Sequence, residues 1–533
     1  MRHSEGDAWG QRWPSLSPPV LMVIILGLTW ILRMKFWGQP FEMDEGVYGY
    51  MGWATHQGLI PYRDMYTTKP PGMWLIHSLL FWFVEPTALN IKVFASLVTL
   101  GTVLAVFFVA RKMADQQAGL MAAVLYGIFS SGPNIQGGGV NSEVFMVLPY
   151  TLAAYSLVRA VETGERKHYL LFGIFTGLAC TFKQVAVVNF FWVGIYLLFR
   201  IGRARDWNVR ARALKDGLWV AAGAVLPWLP FVIYFFFNEA LGKFYFWVVT
   251  SNFSYIGDGY QKLPTFSIFV KSFKGVLSEN GLLWLLALAG IAWRWEKPDQ
   301  QRNGGASYAP QSWQKTASGL MAIWPLFSMI GIGLGGRFFA HYYIQIIPPL
   351  AVLAGLGLRS LTRKIRTQGV EFFRSPTGIV VAGVFVWSLF LFVVTDAPFY
   401  LKYDGIQISQ RQYNSPVFAV TRFIGKYLKD HTQKNDFIYV WAVNPEINFY
   451  ALRRSPSPIL VQHNLHHFTW DPYEEVSQSL HRSPPKYIVA LQSLHIFPKL
   501  QEYVQENCKT ETNPDLDKLK KLTPFEIYRC AVR

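Results

Sequence analysis

From about residue 19 to 395 the chain is a nearly continuous series of apolar runs, each roughly 16 to 23 residues long and separated by short polar breaks. Hydrocarbon offers no hydrogen-bond partners, so a segment crossing it must satisfy its own backbone, and runs of this length read as membrane-spanning helices. About eleven are found, near 19–37, 89–110, 115–131, 143–160, 168–184, 185–200, 214–237, 276–293, 317–334, 342–358 and 377–395. The stretch 71–84 is apolar over only about 14 residues and reads as an interfacial or half-inserted helix. The first run lacks a small-x-small cleavage site and is closed by Arg33 and Lys35, which marks an uncleaved span.

Composition agrees. Of 533 residues, 51% are hydrophobic and only 16% charged, against about 25% charged in soluble domains. The formal charge of +17 raises the question of nucleic acid, and the positions of the charges answer it. With the N-terminus in the cytoplasm, the cytoplasmic loops hold about 22 Lys/Arg in about 92 residues, and the outside loops about 11 in about 125. Arg203, Arg205, Arg210 and Arg212 form the densest cluster. The charge records membrane topology; no nucleic-acid partner is expected. The chain is expected to be multi-pass in the cell (inner) membrane, in contact with membrane lipids. Three cysteines exclude a disulfide-built scaffold or a multi-cysteine metal cluster.

Beyond Asp396 no further span occurs. Short aromatic or β-branched runs (436–442, 458–462, 486–492, 525–530) alternate with helix-like segments (445–452, 473–481, 497–507), the pattern of a small α/β domain. The expected division is therefore a membrane domain, 1–395, and an α/β domain, 396–533, which an odd number of spans places outside the cytoplasm. Cys508 and Cys530 flank a Lys-rich stretch in that domain, where an extracytoplasmic setting permits a disulfide. Cys180 lies within a span and is expected to stay a buried thiol.

The chemistry-bearing residues concentrate at the outside face. The first outside loop, 38–88, carries Met43-Asp44-Glu45-Gly46-Val47-Tyr48, then Gly58-Leu59-Ile60-Pro61-Tyr62-Arg63-Asp64, then Lys69-Pro70-Pro71-Gly72. Neighbouring residues on a helix point about 100° apart, so Asp44 and Glu45 cannot share one site. One is expected to face a cavity and the other to pair with a base or cap the helix. By spacing alone, such acids are solvated and Lys69 snorkels. Glu143, opening the fourth span, and Arg337 and His341, before a late one, arrive at the same face. Charges at membrane depth are costly and their convergence marks a site.

The order DEG-x-Y, G-x-x-PYRD and KPPG resembles the first outside loop of the polyprenyl-phosphate-sugar-dependent glycosyltransferases of the GT-C fold, the superfamily of protein O-mannosyltransferases and lipid A aminoarabinose transferases. Asn141-Ser142-Glu143 and Gly336-Arg337-Phe338-Phe339-Ala340-His341-Tyr342-Tyr343 extend the likeness. The resemblance implies a polytopic α-helical membrane enzyme that moves a sugar, with inversion, from a polyprenyl-phosphate carrier to a hydroxyl of a lipid, glycan or protein. It implies a catalytic role for Asp44, with Glu45 and Glu143 as the further candidate acids. Lys69 would lie near the donor phosphate, and Arg63, Arg337, His341 and Tyr48 complete the substrate-binding candidates. No cofactor is implied; two loop acids could hold a divalent ion, but the resemblance leans to metal independence. Many aminoarabinose transferases carry an arginine shortly after the acid, where Val47 and Tyr48 stand here, which argues against an aminoarabinose donor and a lipid A acceptor. A lipid-phosphate leaving group needs cations more than an acid catalyst, and the acceptor hydroxyl needs a nearby carboxylate, which the same residues supply.

The alternative reading, a transporter or flippase for a lipid or polar solute, calls for internal repeats, and no clear repeat is present. Gly331, Gly333 and Gly336 match G-x-G-x-x-G but end an apolar run, which reads as close helix packing. His463, His466 and His467 lack cysteine partners and read as a polar surface loop.

Overall fold

The computed structural model describes residues 16–262, 264–293, 312–462 and 470–531. His463, His466 and His467 lie outside them. All eleven apolar runs are helical. Among the described residues eight helices are long and apolar enough to cross a membrane. The other three runs form shorter helices, Pro18–Met34, Gln116–Phe129 and Arg166–Phe182. The stretch 71–84 yields the nine-residue helix Gly72–Leu80, which rises only about 14 Å and cannot cross a bilayer core of about 30 Å.

The region between the seventh and eighth runs differs from expectation. It winds into Leu241–Tyr245 and Ser251–Lys262, and the helix Thr265–Trp293 begins well before residue 276. Lys271 and Lys274 lower the local hydropathy there, while Phe269 stacks on Phe273 one turn later, with ring centroids 5.3 Å apart, and keeps the segment helical. Helix also continues past the expected boundary at 395, through Ala397–Leu401.

The C-terminal region holds a four-stranded sheet of β1 (Ile438–Trp441), β2 (Tyr487–Ala490), β3 (Cys508–Thr510) and β4 (Glu526–Cys530), in spatial order β1-β2-β4-β3. Strands β1 and β2 are parallel; β2–β4 and β3–β4 are antiparallel. Alternation along the strands feeds two cores. Ile438, Val440, Tyr487, Val489 and Ile527 meet Val420, Ile424 and Leu428 of the helix Val417–Asp430. Tyr439, Trp441, Ile488 and Ala490 join a core continuous with the membrane helices. Cys508 and Cys530 are register partners and form a disulfide, with Cα atoms 3.9 Å apart. Closing a loop of this length contributes about 3 kcal/mol in the chain-entropy model. Cys180 is a free, buried thiol.

One expected strand is corrected. The run 458–462 does not join the sheet; Ile459 bridges Tyr66 in the first outside loop instead. That loop is sandwiched between the membrane helices and the C-terminal region. Its helix Met43–His56 lies so close to the helix Glu446–Ala451 that a Cβ on Gly46 would stand 2.6 Å from the backbone nitrogen of Glu446. Phe41 stacks on Phe449 at 5.4 Å, and the backbone N–H groups of Phe41 and Ser455 donate to the hydroxyls of Tyr450 and Tyr50 at 2.7 and 2.8 Å.

Candidate active site

The helix Met43–His56 opens with a capping box. The Glu45 N–H donates to Glu42 Oε1, and the Glu42 N–H donates to Glu45 Oε2, each at 3.1 Å. The other Glu45 oxygen, Oε1, accepts from the Val140 N–H at 2.7 Å, and the buried Lys92 ammonium stands 4.0 Å from Oε2. Glu45, one of the catalytic candidates, is 2% exposed and does not line the cavity described below: it caps the helix and grips the Gly-rich loop before Glu143. Arg33 holds the same loop from the first helix, donating to the carbonyls of Gly137 and Gly139.

Asp44, rotated by one residue, faces a cavity of about 940 Å³. Lys69 Nζ donates to its Oδ2 at 2.8 Å. Burial pushes the Asp44 carboxyl up, but the Lys69 ammonium, with His341 and Lys183 beyond it, outweighs burial and holds it below the ordinary carboxylate value. Lys69 is placed by its own loop. Tyr62, at φ 65°, turns the chain back and donates from its hydroxyl to the Lys69 carbonyl at 2.8 Å. Two prolines then lead into the helix at Gly72, where a Cβ would stand 2.6 Å from the Thr181 carbonyl oxygen.

That contact brings the Lys69 loop against the end of the helix Arg166–Phe182, and so against Lys183, a residue not among the sequence-derived candidates. Lys183 lines the cavity, forms an ion pair with the buried Glu143, and lies over the Tyr342 ring, 3.6 Å from its centroid. Two apolar runs abut at this lysine with no loop between them, and a charge so placed at membrane depth was the available signal.

Of the remaining candidates, Arg337 lines the cavity beside Gln345. Tyr48 sits one turn after Asp44, buried, with its ring centroid 5.9 Å from Lys69 Nζ. His341 is buried behind the lining, where its Nδ1 is 3.0 Å from Gln136 Oε1 of the Gly-rich loop. Arg63 points elsewhere: it pairs with its neighbour Asp64 at 2.8 Å on a half-exposed turn and does not line the cavity. Gly331, from the run resembling a nucleotide loop, packs so closely that a Cβ would reach the Gln345 amide at 2.7 Å.

The cavity thus holds two acid–lysine pairs, Asp44–Lys69 and Glu143–Lys183, with Arg337 as a further cation. Phe244, Tyr245, Val248, Val249, Phe253 and Ile256 line an apolar wall. Among the described residues no three His, Cys, Asp or Glu side chains gather as a metal site.

Residues 68–231 match the family model described as dolichyl-phosphate-mannose-protein mannosyltransferase. A curated relative from Arabidopsis thaliana, dolichyl-diphosphooligosaccharide–protein glycosyltransferase subunit STT3B, is 27% identical over 177 residues, 31% of this chain and 24% of that protein. The chain thus aligns with about a quarter of that relative's length. Among solved structures, ArnT from Cupriavidus metallidurans bound to undecaprenyl phosphate superposes with a TM-score of 0.60 at 14% identity, covering 96% of this chain and 97% of that one. The archaeal oligosaccharyltransferase AglB from Archaeoglobus fulgidus, in complex with an inhibitory peptide and a dolichol-phosphate, gives 0.50 at 13% identity over 89% and 69%. This multi-pass membrane chain thus shares the fold of ArnT over nearly its whole length and of AglB over most of it.

Proposed function

We propose that the protein transfers a sugar from a polyprenyl-phosphate carrier to a hydroxyl group on the extracytoplasmic face, with inversion. The observation that carries this reading is the Asp44–Lys69 pair at 2.8 Å beside Lys183 and Arg337 in one cavity with an apolar wall. Asp44 is the base: it takes the acceptor hydroxyl's proton as that oxygen attacks the anomeric carbon. The bond from that carbon to the phosphate oxygen breaks, and polyprenyl phosphate leaves with the electron pair. Lys69, Lys183 and Arg337 neutralise the phosphate in a low-dielectric site, where preorganised cations are most effective. Once the phosphate engages Lys69, Asp44 loses part of its counter-charge and becomes more basic when a base is needed. The apolar wall accommodates prenyl chain. The cations that face the phosphate are the protein's own side chains.

The acceptor is a lipid, glycan or protein hydroxyl, and the sugar is a hexose or pentose. A transporter reading has less support: the likeness to the glycosyltransferase family model and fold stands against it, and the cavity's charges sit in acid–base pairs suited to proton transfer and phosphate binding. The test is to incubate purified protein with a panel of polyprenyl-phosphate sugars and acceptors and to measure released polyprenyl phosphate. Release dependent on one sugar supports the reading; no release from any donor in the panel overturns it.

A further inference from the structure

The loop that carries Lys69 is held from two sides. From the membrane side, the side-chain amides of Gln184 and Asn252 donate to the Thr68 carbonyl at 3.2 and 3.0 Å. From the C-terminal side, the Tyr66 N–H donates to the Pro458 carbonyl at 2.7 Å, and the Tyr66 hydroxyl donates to Glu475 Oε1 at 2.8 Å. The Tyr66 ring stacks on Trp247, with centroids 5.1 Å apart, and Trp470 Nε1–H donates to the second Glu475 oxygen at 2.6 Å. Tyr66 lines the cavity, three residues before Lys69; Glu475, on the helix Pro472–Arg482, does not.

We infer that Glu475 is a positioning residue for the transfer reaction, acting through Tyr66 to hold the Lys69 loop against Asp44. The C-terminal region then acts on use of the donor, beyond any influence on the acceptor. The inference rests on the proposed function for its kinetic consequence and on the geometry alone for its structural one. Among the described residues Glu475 meets the cavity lining through the Tyr66 hydroxyl and through Trp470, whose ring packs edge-on against Tyr66 with centroids 6.1 Å apart, so both routes to the donor pass through Tyr66. Stacking on Trp247 sets the plane of the Tyr66 ring, and the bond to Glu475, a carboxylate held by two donors on a folded helix, pins its hydroxyl end.

The test uses the full chain in detergent, with Tyr66→Phe, Glu475→Ala, their double variant and Glu475→Gln. Hydrogen exchange is followed in peptides covering residues 63–70. Faster exchange there in Tyr66→Phe and Glu475→Ala, with the helix Met43–His56 unchanged, is expected whether or not the sugar-transfer reading holds. In turnover with a polyprenyl-phosphate sugar, both variants should lose on the order of ten-fold in kcat/KM for the donor, mainly through KM, while KM for the acceptor stays put. The double variant should be no worse than either single one, and Glu475→Gln, which keeps an acceptor oxygen, should recover most of the loss. Unchanged exchange at 63–70, or additive losses in the double variant, overturns the inference. A parent protein that turns over no such donor overturns the proposed function, and the exchange data then decide the clamp alone.

Discussion

Lys183 lies at the junction of the fifth and sixth apolar runs and Tyr342 opens the tenth, yet the lysine ammonium lies 3.6 Å from the centre of the tyrosine ring. The stacking fixes a cation whose other partner is the buried Glu143. Lys183 thereby lines the same cavity as the Asp44–Lys69 pair, held between a ring and a carboxylate.

Asp44→Asn keeps the shape of the side chain and removes the base. Transfer is expected to fall by about 10²–10⁴-fold, the usual loss for a general base, with the melting temperature near the parent's. Single-turnover release of polyprenyl phosphate checks it, and near-normal turnover in a folded variant would remove Asp44 from the mechanism.

Lys183→Met leaves Glu143 charged, buried and uncompensated. Stability should drop by about 3–5 kcal/mol, and adding Glu143→Gln should restore most of it. Denaturant melts of the single and double variants decide this; a double variant as unstable as the single one would show that the pair is not the unit of stability. Both variants should remain poor in use of the donor.

Glu446 is fully buried against Gly46, with one carboxylate oxygen accepting from Thr421 Oγ1 at 2.9 Å and Asn444 Nδ2 at 2.8 Å. Burial lifts its carboxyl to about 7, and Glu45 adds to the rise. The folded protein therefore binds this proton more tightly than the unfolded chain. Stability is full below the ordinary carboxylate range, falls as pH rises through it, and levels off above about 7, a change of at most a few kcal/mol. Glu446→Gln should flatten the slope between pH 5 and 8 and raise the melting temperature at pH 8. Identical slopes in parent and variant would contradict this assignment.

Chelation separates a protein-supplied phosphate site from a metal-supplied one. With Lys69, Lys183 and Arg337 in that role, EDTA treatment should leave donor turnover unchanged, while Lys69→Ala and Arg337→Ala raise KM for the donor. A chelator-sensitive rate restored by a divalent ion would assign the phosphate to a metal.

Eleven crossings starting from an N-terminus inside would put the C-terminal region outside the cytoplasm. Alkaline phosphatase fused at the C-terminus should be active and a cytoplasm-only fluorescent reporter dark. The reverse result would require one more or one fewer crossing.

The sequence by itself determined the layout, because length and hydrophobicity act locally: each of the eleven apolar runs is a helix, and the 71–84 stretch is too short to cross. It also separated Asp44 from Glu45 in principle, since adjacent helical residues point about 100° apart. Which acid faced the cavity was decided by tertiary structure. Glu45 is drawn away by Val140 and Lys92, partners 95 and 47 residues distant that no local pattern reveals. The same holds for the 458–462 run, which bridges Tyr66 rather than joining the sheet, whereas Arg63 is satisfied outside the cavity by its sequence neighbour Asp64. Lys183 joins the site where Gly72 lets the first loop press against Thr181, two residues before it. Periodicity and hydropathy are properties of a segment; an ion pair belongs to whichever segments packing brings together.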